Sequence, residues 1–377
     1  MKKNLIICAS QNSFFTIPPV KQLLDYFKTV SEISSIHSEI NGYDDFFSGS
    51  KYHNVVNNYT DYASYNGQTR FEKVSKYFKV SILLFFQIFR NLFRFDTVYI
   101  YSCELYIIYV AIILKSKKIK IIYHQFEMMI PNDLNKIDQF LLKRIIKRFK
   151  KVDLAIFPEE NRKVYFRDML LKYSDNQFFV LPNTNNNMVS ENYSRQNDKI
   201  RIAHIGAVGS NHHITSYLKA IKELPKDKFE FLFVGMLNND IRDMILKENF
   251  QNIIITGQIP HNDLKEIYLN IDIGVILYKD VSLHTRFCAP NKLYEFWSYG
   301  IPVVGDVLPG LISVFKEKEQ GILIDMTQPN EICDAFLRLG ALDEHKRNDI
   351  LRIFNSTYRL DVYLDRIDEI LSLSSDN

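Results

Sequence analysis

An α/β protein made of two parallel-sheet units is what this sequence predicts, on three observations. Short β-branched or aromatic apolar runs alternate with helical patterns along most of the chain, which is the signature of βαβ units. A polar stretch without periodicity, residues 185–198, interrupts that alternation, and a new series starts at Lys199. Glycine is unevenly placed: after Gly42, Gly49 and Gly67, none of the 13 glycines occurs until Gly206. The chain has 377 residues, enough for two domains of ordinary size. We therefore expect a first domain over 1–184, a linker over 185–198 and a second domain over 199–357. A last helix, about 358–377, is expected to pack back on the first domain.

Composition narrows the class. Hydrophobic residues make up 46% and charged residues 24%, the balance of a globular domain and not of a disordered or fibrous chain. The formal net charge of +3 is too small to argue for nucleic acid, and nothing resembles a helix-turn-helix, RNP or zinc module. Cys8, Cys103, Cys288 and Cys333 are far apart, without metal-type spacing, and read as reduced thiols. The start of the chain reads as a buried strand and not a signal peptide. No apolar run approaches the roughly 20 residues that span a bilayer. A cytoplasmic protein, peripheral on the inner face of the membrane, is the expectation.

In the first domain, Leu5–Ala9 reads as a strand and 18–30 as a helix, with Val20, Leu23, Leu24 and Phe27 on one face. Residues 37–69, rich in Asn, Tyr, Ser and Gly, read as an irregular insertion. Residues 70–95 carry six basic side chains (Arg70, Lys73, Lys76, Lys79, Arg90, Arg94) around the apolar run 80–86. That pattern fits a helix lying in a membrane interface, and equally a core helix with solvated ends. Strands are expected at 97–101 and 119–123, with a helix between them. At the carboxyl end of the latter strand stand His124 and Glu127, where catalytic and binding groups gather in such sheets. The alternative for both is a structural role at a loop start. Residues 136–151 hold seven basic residues against Asp138, a basic amphipathic helix suited either to an anionic bilayer surface or to solvent. Strands at 153–157 and 178–181, with a helix between them, complete the unit.

The second domain reads as strands at 200–205, 229–234, 252–256, 273–277 and 321–324, separated by helices near 214, 239–248, 262–269 and 329–339. Gly206, Gly209, Gly235, Gly257 and Gly305 follow apolar runs, and in an open parallel sheet ligands bind at the carboxyl ends of strands. The richest stretch is 290–304. Pro290 suits a helix start, Lys292 and Glu295 are three apart and share a face, and Gly300 suits a helix stop. The run Ile301-Pro302-Val303-Val304 reads as a buried strand. A helix start, a cation and a carboxylate beside a parallel strand make a cradle for a nucleotide diphosphate.

These residues resemble the GT-B glycosyltransferases, in particular the family 4 retaining enzymes, whose fold is two Rossmann-like domains facing a cleft. Pro290-Asn291-Lys292, Glu295 and Gly300-Ile301-Pro302-Val303-Val304 are similar to that family's P-x-K-x-x-E…G-x-P-V-V nucleotide-sugar motif. The stretch 205–209, with Gly206 and Gly209, resembles the first donor-domain loop. Gly257-Gln258-Ile259-Pro260 resembles the loop beside the base. The resemblance implies that Glu295 bonds the ribose hydroxyls and that Asn291 and Lys292 belong to the donor site, with Lys292 facing the diphosphate. It implies no tightly bound cofactor and no metal requirement, and the sequence has no D-x-D. It further implies transfer of a sugar from a nucleotide diphosphate to an acceptor hydroxyl, with retention. His124, and secondarily Glu127, is the expected contact to sugar or acceptor. The partners implied are a nucleotide-sugar, a lipid-linked or glycan acceptor of capsule or O-antigen type, and an anionic membrane surface through 70–95 and 136–151, but not nucleic acid.

Two positions depart from the pattern. Phe287 stands eight residues before Glu295, where the family carries a glutamate near the transferred sugar. Ser210-Asn211-His212-His213 replaces the Arg and Lys that usually follow the first glycines, leaving the diphosphate to Lys292, Arg286 and backbone N–H groups. These departures keep two other readings open: a nucleotide-sugar epimerase of the same fold, and an inactive partner subunit.

Overall fold

The computed structural model describes residues 4–10, 18–36, 70–171, 178–187, 198–260, 263–288, 290–315, 318–342 and 344–371. The expected insertion at 37–69 and most of the expected linker lie outside the described residues. The chain forms two compact units, one of Met1–Pro158, Arg162–Leu181 and Tyr363–Asn377, the other of Glu159–Asn161 and Pro182–Val362.

The first unit is a parallel sheet of β1 (Asn4–Ala9), β2 (Glu32–Ile36), β3 (Thr97–Ser102), β4 (Ile119–His124), β5 (Leu154–Phe157) and β6 (Phe178–Val180), in the order β2-β1-β3-β4-β5-β6. The strands read as nearly continuous apolar runs because both faces are covered. Leu5, Ile7 and Ala9 enter one core together with α2 (Arg70–Asn91), α3 (Leu105–Leu114) and α4 (Lys136–Ile146). On the other face α1 (Pro18–Val30) brings Phe27 edge-on to Tyr101 at 5.7 Å. α14 (Asp361–Leu371) also belongs to this unit. The Tyr99 hydroxyl donates to the Leu371 carbonyl at 2.6 Å, and Tyr363 meets Phe179 at 6.4 Å.

Three local expectations change. β2 pairs with β1 from Leu5↔Glu32 to Ala9↔Ile36, although its polar sequence carried no strand signal. The basic helix expected over 136–151 ends at Ile146, and Phe149–Lys151 forms a separate 3-10 turn. Its start is set by Asn135, whose side chain accepts from the N–H groups of Ile137 and Asp138. The helix expected through 95 stops at Asn91. After α5 (Glu160–Val164) the chain continues as a π-helical segment, Tyr165–Leu171.

The second unit is another six-stranded parallel sheet: β7 (Ile200–Ile205), β8 (Phe229–Val234), β9 (Ile253–Gly257), β10 (Ile273–Ile276), β11 (Val303–Asp306) and β12 (Gly321–Ile324). Its order is β12-β11-β10-β7-β8-β9, the doubly wound order of dinucleotide-binding sheets. One face packs on α6 (Ile214–Glu223), α7 (Asn239–Lys247) and α12 (Pro329–Gly340). The other packs on α8 (Leu264–Tyr268) and α10 (Asn291–Ser298). Three short or charged helices went unnoticed in the sequence: α9 (Leu283–Arg286), α11 (Pro309–Ile312) and α13 (Glu344–Ile353). α13 is fixed by Arg347, which donates to the Ile271 and Asp272 carbonyls, each at 3.0 Å.

α10 lies unusually close to its sheet. A Cβ on Gly274 of β10 would sit 2.6 Å from the Phe296 ring, so only glycine lets the ring rest on the strand. Gly274→Val should therefore destabilise the protein by about 1–3 kcal/mol through overpacking, read as a lowered urea midpoint at unchanged m-value.

Candidate active site

In a doubly wound sheet the ligand crevice lies where the strand order reverses, at the carboxyl ends of the strands. Here that point falls between β7 and β10, which pair directly. The two following loops are joined there. His213 N–H donates to Leu277 O at 2.7 Å, Lys279 N–H donates to Asn211 O at 2.9 Å, and His212 bridges to Tyr278. Gly206 adopts φ 139°, and a Cβ on neighbouring Gly235 would lie 2.3 Å from its carbonyl oxygen. Gly209 packs near Asn238 and donates its N–H to His212 Nδ1 at 3.1 Å.

α10 presents the polar cluster of this unit. Pro290 is its N-cap, one position before the first helical residue. Glu295 is buried and accepts three side-chain bonds: from the Tyr268 hydroxyl at 2.5 Å, Lys292 Nζ at 2.7 Å and Asn291 Nδ2 at 3.1 Å. Asn291 and Lys292, four and three residues earlier, lie on the helical face of Glu295. Burial, and then the Glu295 carboxylate, hold the Tyr268 phenol well above its usual range, so it remains a donor. The helix ends in a double-bonded glycine cap: Ile301 N–H donates to Phe296 O, and Gly300 N–H to Trp297 O, each at 3.0 Å, with Gly300 at φ 68°.

The remaining sequence candidates are dispersed. Gly257 (φ 73°) and the exposed Gln258 line a pocket of about 350 Å³ with Gly235, Met236, Arg242 and Ile255. Ile259 packs on the core beneath α10. Arg286 is half exposed and 3.4 Å from Asp280. Phe287 is the C-cap residue just after α9, its N–H donating to Leu283 O at 3.0 Å. In the first unit His124 is fully buried. Its Nδ1 lies 2.8 Å from the Tyr101 hydroxyl, and its ring lies 4.1 Å from that of Phe126. Burial pushes it down to about 3, so it is a neutral hydrogen-bonding group and not an acid at neutral pH. Glu127 is exposed, and its carbonyl accepts from Gln125 Nε2 at 3.0 Å.

Sequence reasoning missed several neighbours of this site. Tyr268 belongs to no motif. Lys279, three residues beyond β10, donates to Ser210 O at 3.0 Å, which places a cation beside the first loop. His213 Nε2 lies 2.8 Å from Asp306 Oδ2. His213, Lys219 and Lys279 line a second pocket, about 260 Å³, with Thr215, Ser216 and Thr327. His212 is buried, and that burial lowers its pKa, so His212 is no simple replacement for the expected cations. Among the described residues no group of three or more His, Cys, Asp or Glu side chains could hold a metal ion.

A doubly wound α/β unit with a buried polar cluster on α10 thus stands in one chain with a second parallel-sheet unit, and the comparisons say which proteins share this build. Residues 199–341 match the family model described as Glycosyl transferases group 1. Over 102 residues the chain is 36% identical to the Putative teichuronic acid biosynthesis glycosyltransferase TuaH of Bacillus subtilis (strain 168). That stretch is 26% of this chain and 25% of TuaH. Sucrose-phosphate synthase from Thermosynechococcus elongatus superposes with a TM-score of 0.66 at 13% identity, over 98% of each chain. HepE from Anabaena, in complex with UDP, superposes with a TM-score of 0.69 at 11% identity, over 98% of this chain and 99% of its own. The chain thus has the GT-B fold of these glycosyltransferases, and its residues 199–341 are similar to the group 1 glycosyl transferases.

Because Lys292 and Glu295 are mutually paired, their substitutions should not add. Lys292→Ala alone leaves a buried carboxylate short of a partner and should cost about 2–3 kcal/mol. In the Lys292→Ala/Glu295→Ala double variant, a coupling of about 1–3 kcal/mol should appear in urea melts; strict additivity would show that the pair does not form in solution.

Proposed function

We propose that the protein moves a sugar from a nucleotide-diphosphate donor to a hydroxyl of a lipid-linked or glycan acceptor, with retention, in the synthesis of a bacterial surface polysaccharide. The observation that carries this reading is the buried Glu295 of α10, paired with Lys292 and Asn291 inside the segment that matches the glycosyltransferase family. A carboxylate is the acceptor that two ribose hydroxyls require. It offers about four lone-pair positions, of which three meet side-chain donors here. Lys292, on a flexible stem, is the donor able to turn towards the diphosphate as the ribose arrives. The base occupies the pocket at Gly257 and Gln258, beside Ile259, and Gly206 and Gly209 allow close backbone approach.

The chemical demand is charge. The sugar carbon becomes oxocarbenium-like as the diphosphate leaves, and preorganised cations and N–H groups stabilise the departing oxygens. Lys292, Lys279 and Arg286 are assigned that task. No protein nucleophile is required for front-face attack by the acceptor. His124 and Glu127 are assigned to sugar or acceptor contact, His124 as a neutral hydrogen-bonding partner. No metal enters the scheme. The name of TuaH speaks of teichuronic acid biosynthesis, and the HepE complex contains UDP. Those two supports put surface polysaccharide and UDP-sugars first in line. The basic segments at 70–95 and 136–151 support a peripheral place on the inner face of the cytoplasmic membrane. No helix among the described residues is long and apolar enough to cross it.

Phe287 favours one competing reading, a partner subunit without activity, because no carboxylate stands at that position. Incubation with UDP-, GDP- and dTDP-sugars should show transfer or slow donor hydrolysis, with an α-linked product from an α-linked donor. Isomerised donor would support an epimerase, and calorimetry showing no nucleotide binding would support the inactive partner. Glu295→Ala should weaken donor binding about 10- to 100-fold, the worth of charge-assisted hydrogen bonds; unchanged affinity would remove the assignment.

A further inference from the structure

The two faces of α2 are unlike what its sequence alone conveyed. Val80, Leu84 and Ile88 are buried and hold the helix on the sheet. On the opposite side Phe78, Ile82, Phe85, Phe86, Phe89 and Phe93 are exposed, Phe78 to 66% and Phe93 to 83%. With 3.6 residues per turn the first five, all on α2, fall within an arc of roughly 100°, and Phe93 follows in the turn just after the helix. Their rings touch in series, Phe85–Phe86 at 5.8 Å, Phe85–Phe89 at 6.3 Å and Phe89–Phe93 at 6.0 Å. A continuous apolar stripe of this kind on a water-soluble surface marks an interaction site.

The chemistry around the stripe selects the occupant. Lys79, Arg90 and Arg94 are exposed along one edge of it. α4, in the same helical layer, exposes Lys143 and Arg144 together with Ile137 and Phe140, and Lys147 and Arg148 are exposed just after it. A second copy of the chain meeting this face about a two-fold axis would set these cations against one another. An anionic lipid surface instead neutralises the cations and receives the rings, the combination that holds amphipathic helices at the headgroup boundary.

We infer that α2 is a membrane-insertion element: its aromatic stripe enters the acyl boundary of an anionic bilayer while the basic residues of α2 and α4 engage the headgroups. This rests on the membrane-surface reading above and adds which rings enter the bilayer and that their insertion, and not charge alone, holds the protein there. Electrostatic adsorption alone is screened by salt, whereas inserted rings resist it. The wild-type protein should float with phosphatidylglycerol-containing vesicles at low salt and keep a substantial bound fraction in 1 M NaCl. Phe85→Ser/Phe86→Ser/Phe89→Ser, at exposed positions, should lower the salt-resistant fraction at least tenfold with an unchanged melting temperature. The indole introduced by Phe89→Trp should be quenched by lipids brominated in their acyl chains.

Binding that vanishes in high salt, is indifferent to the triple substitution and leaves the introduced indole unquenched would overturn the insertion while sparing adsorption. No binding to anionic vesicles even at low salt would overturn both. A vesicle-free dimer that the triple substitution dissolves would assign the stripe to a second copy. Donor binding, measured in parallel without lipid, reports on the catalytic reading independently.

Discussion

A carboxylate enclosed by aromatic side chains is tolerable only when its oxygens are satisfied, because an unpaired buried charge costs several kcal/mol. Glu295 is in that position, and much of the second unit is arranged to meet the requirement. Tyr268 is supplied by α8, Asn291 and Lys292 by the first turn of α10 itself. The helix is seated by the Phe296 ring on Gly274, stopped by Gly300, and tied by the Trp297 indole N–H, which donates to Gln320 O at 2.9 Å. Each of these contacts reduces the freedom of the carboxylate. A group held this firmly before the ligand arrives loses little entropy on binding.

The electrostatics of the neighbouring loop follow a different logic. His212 and His213 stand where the resembled family pattern has cations, and His204 lies just before them in β7. Burial, and then the neighbouring His212, push His204 down to about 4. His212 and His204 meet edge-on at 5.6 Å, and His212 leans on Tyr278 at 5.1 Å. Burial also lowers the pKa of His212, and the His204 and His212 imidazoles act as hydrogen-bonding spacers beside the loops after β7 and β10. A lysine also approaches this loop: Lys279 Nζ donates to the carbonyl of Ser210.

What could be read from the sequence was whatever has a strong local cause. The parallel strands were visible because burial on both faces makes them continuous apolar runs. Gly300 was visible because a left-handed residue after a helix favours glycine. The shared helical face of Lys292 and Glu295 was visible in their spacing, although not that they bond each other. Tyr268 was invisible because it reaches Glu295 from 27 residues away in the chain. β2 was invisible because its Ser34 and Glu32 mask a strand that exists through pairing with β1. α13 carries too few apolar residues to show a face, and its anchor is the buried Arg347. In α2, a run rich in Phe and Leu did not reveal which rings face the core; only the packed structure separates Leu84 from Phe85.

A structure of the protein with UDP bound tests the central claim most directly. The account predicts the ribose hydroxyls within hydrogen-bond distance of the Glu295 carboxylate, the base against Gly257 and Gln258, and Lys292 turned from Glu295 towards the diphosphate. A ribose bound away from α10, with the Glu295–Lys292 pair intact as in the free protein, would contradict it.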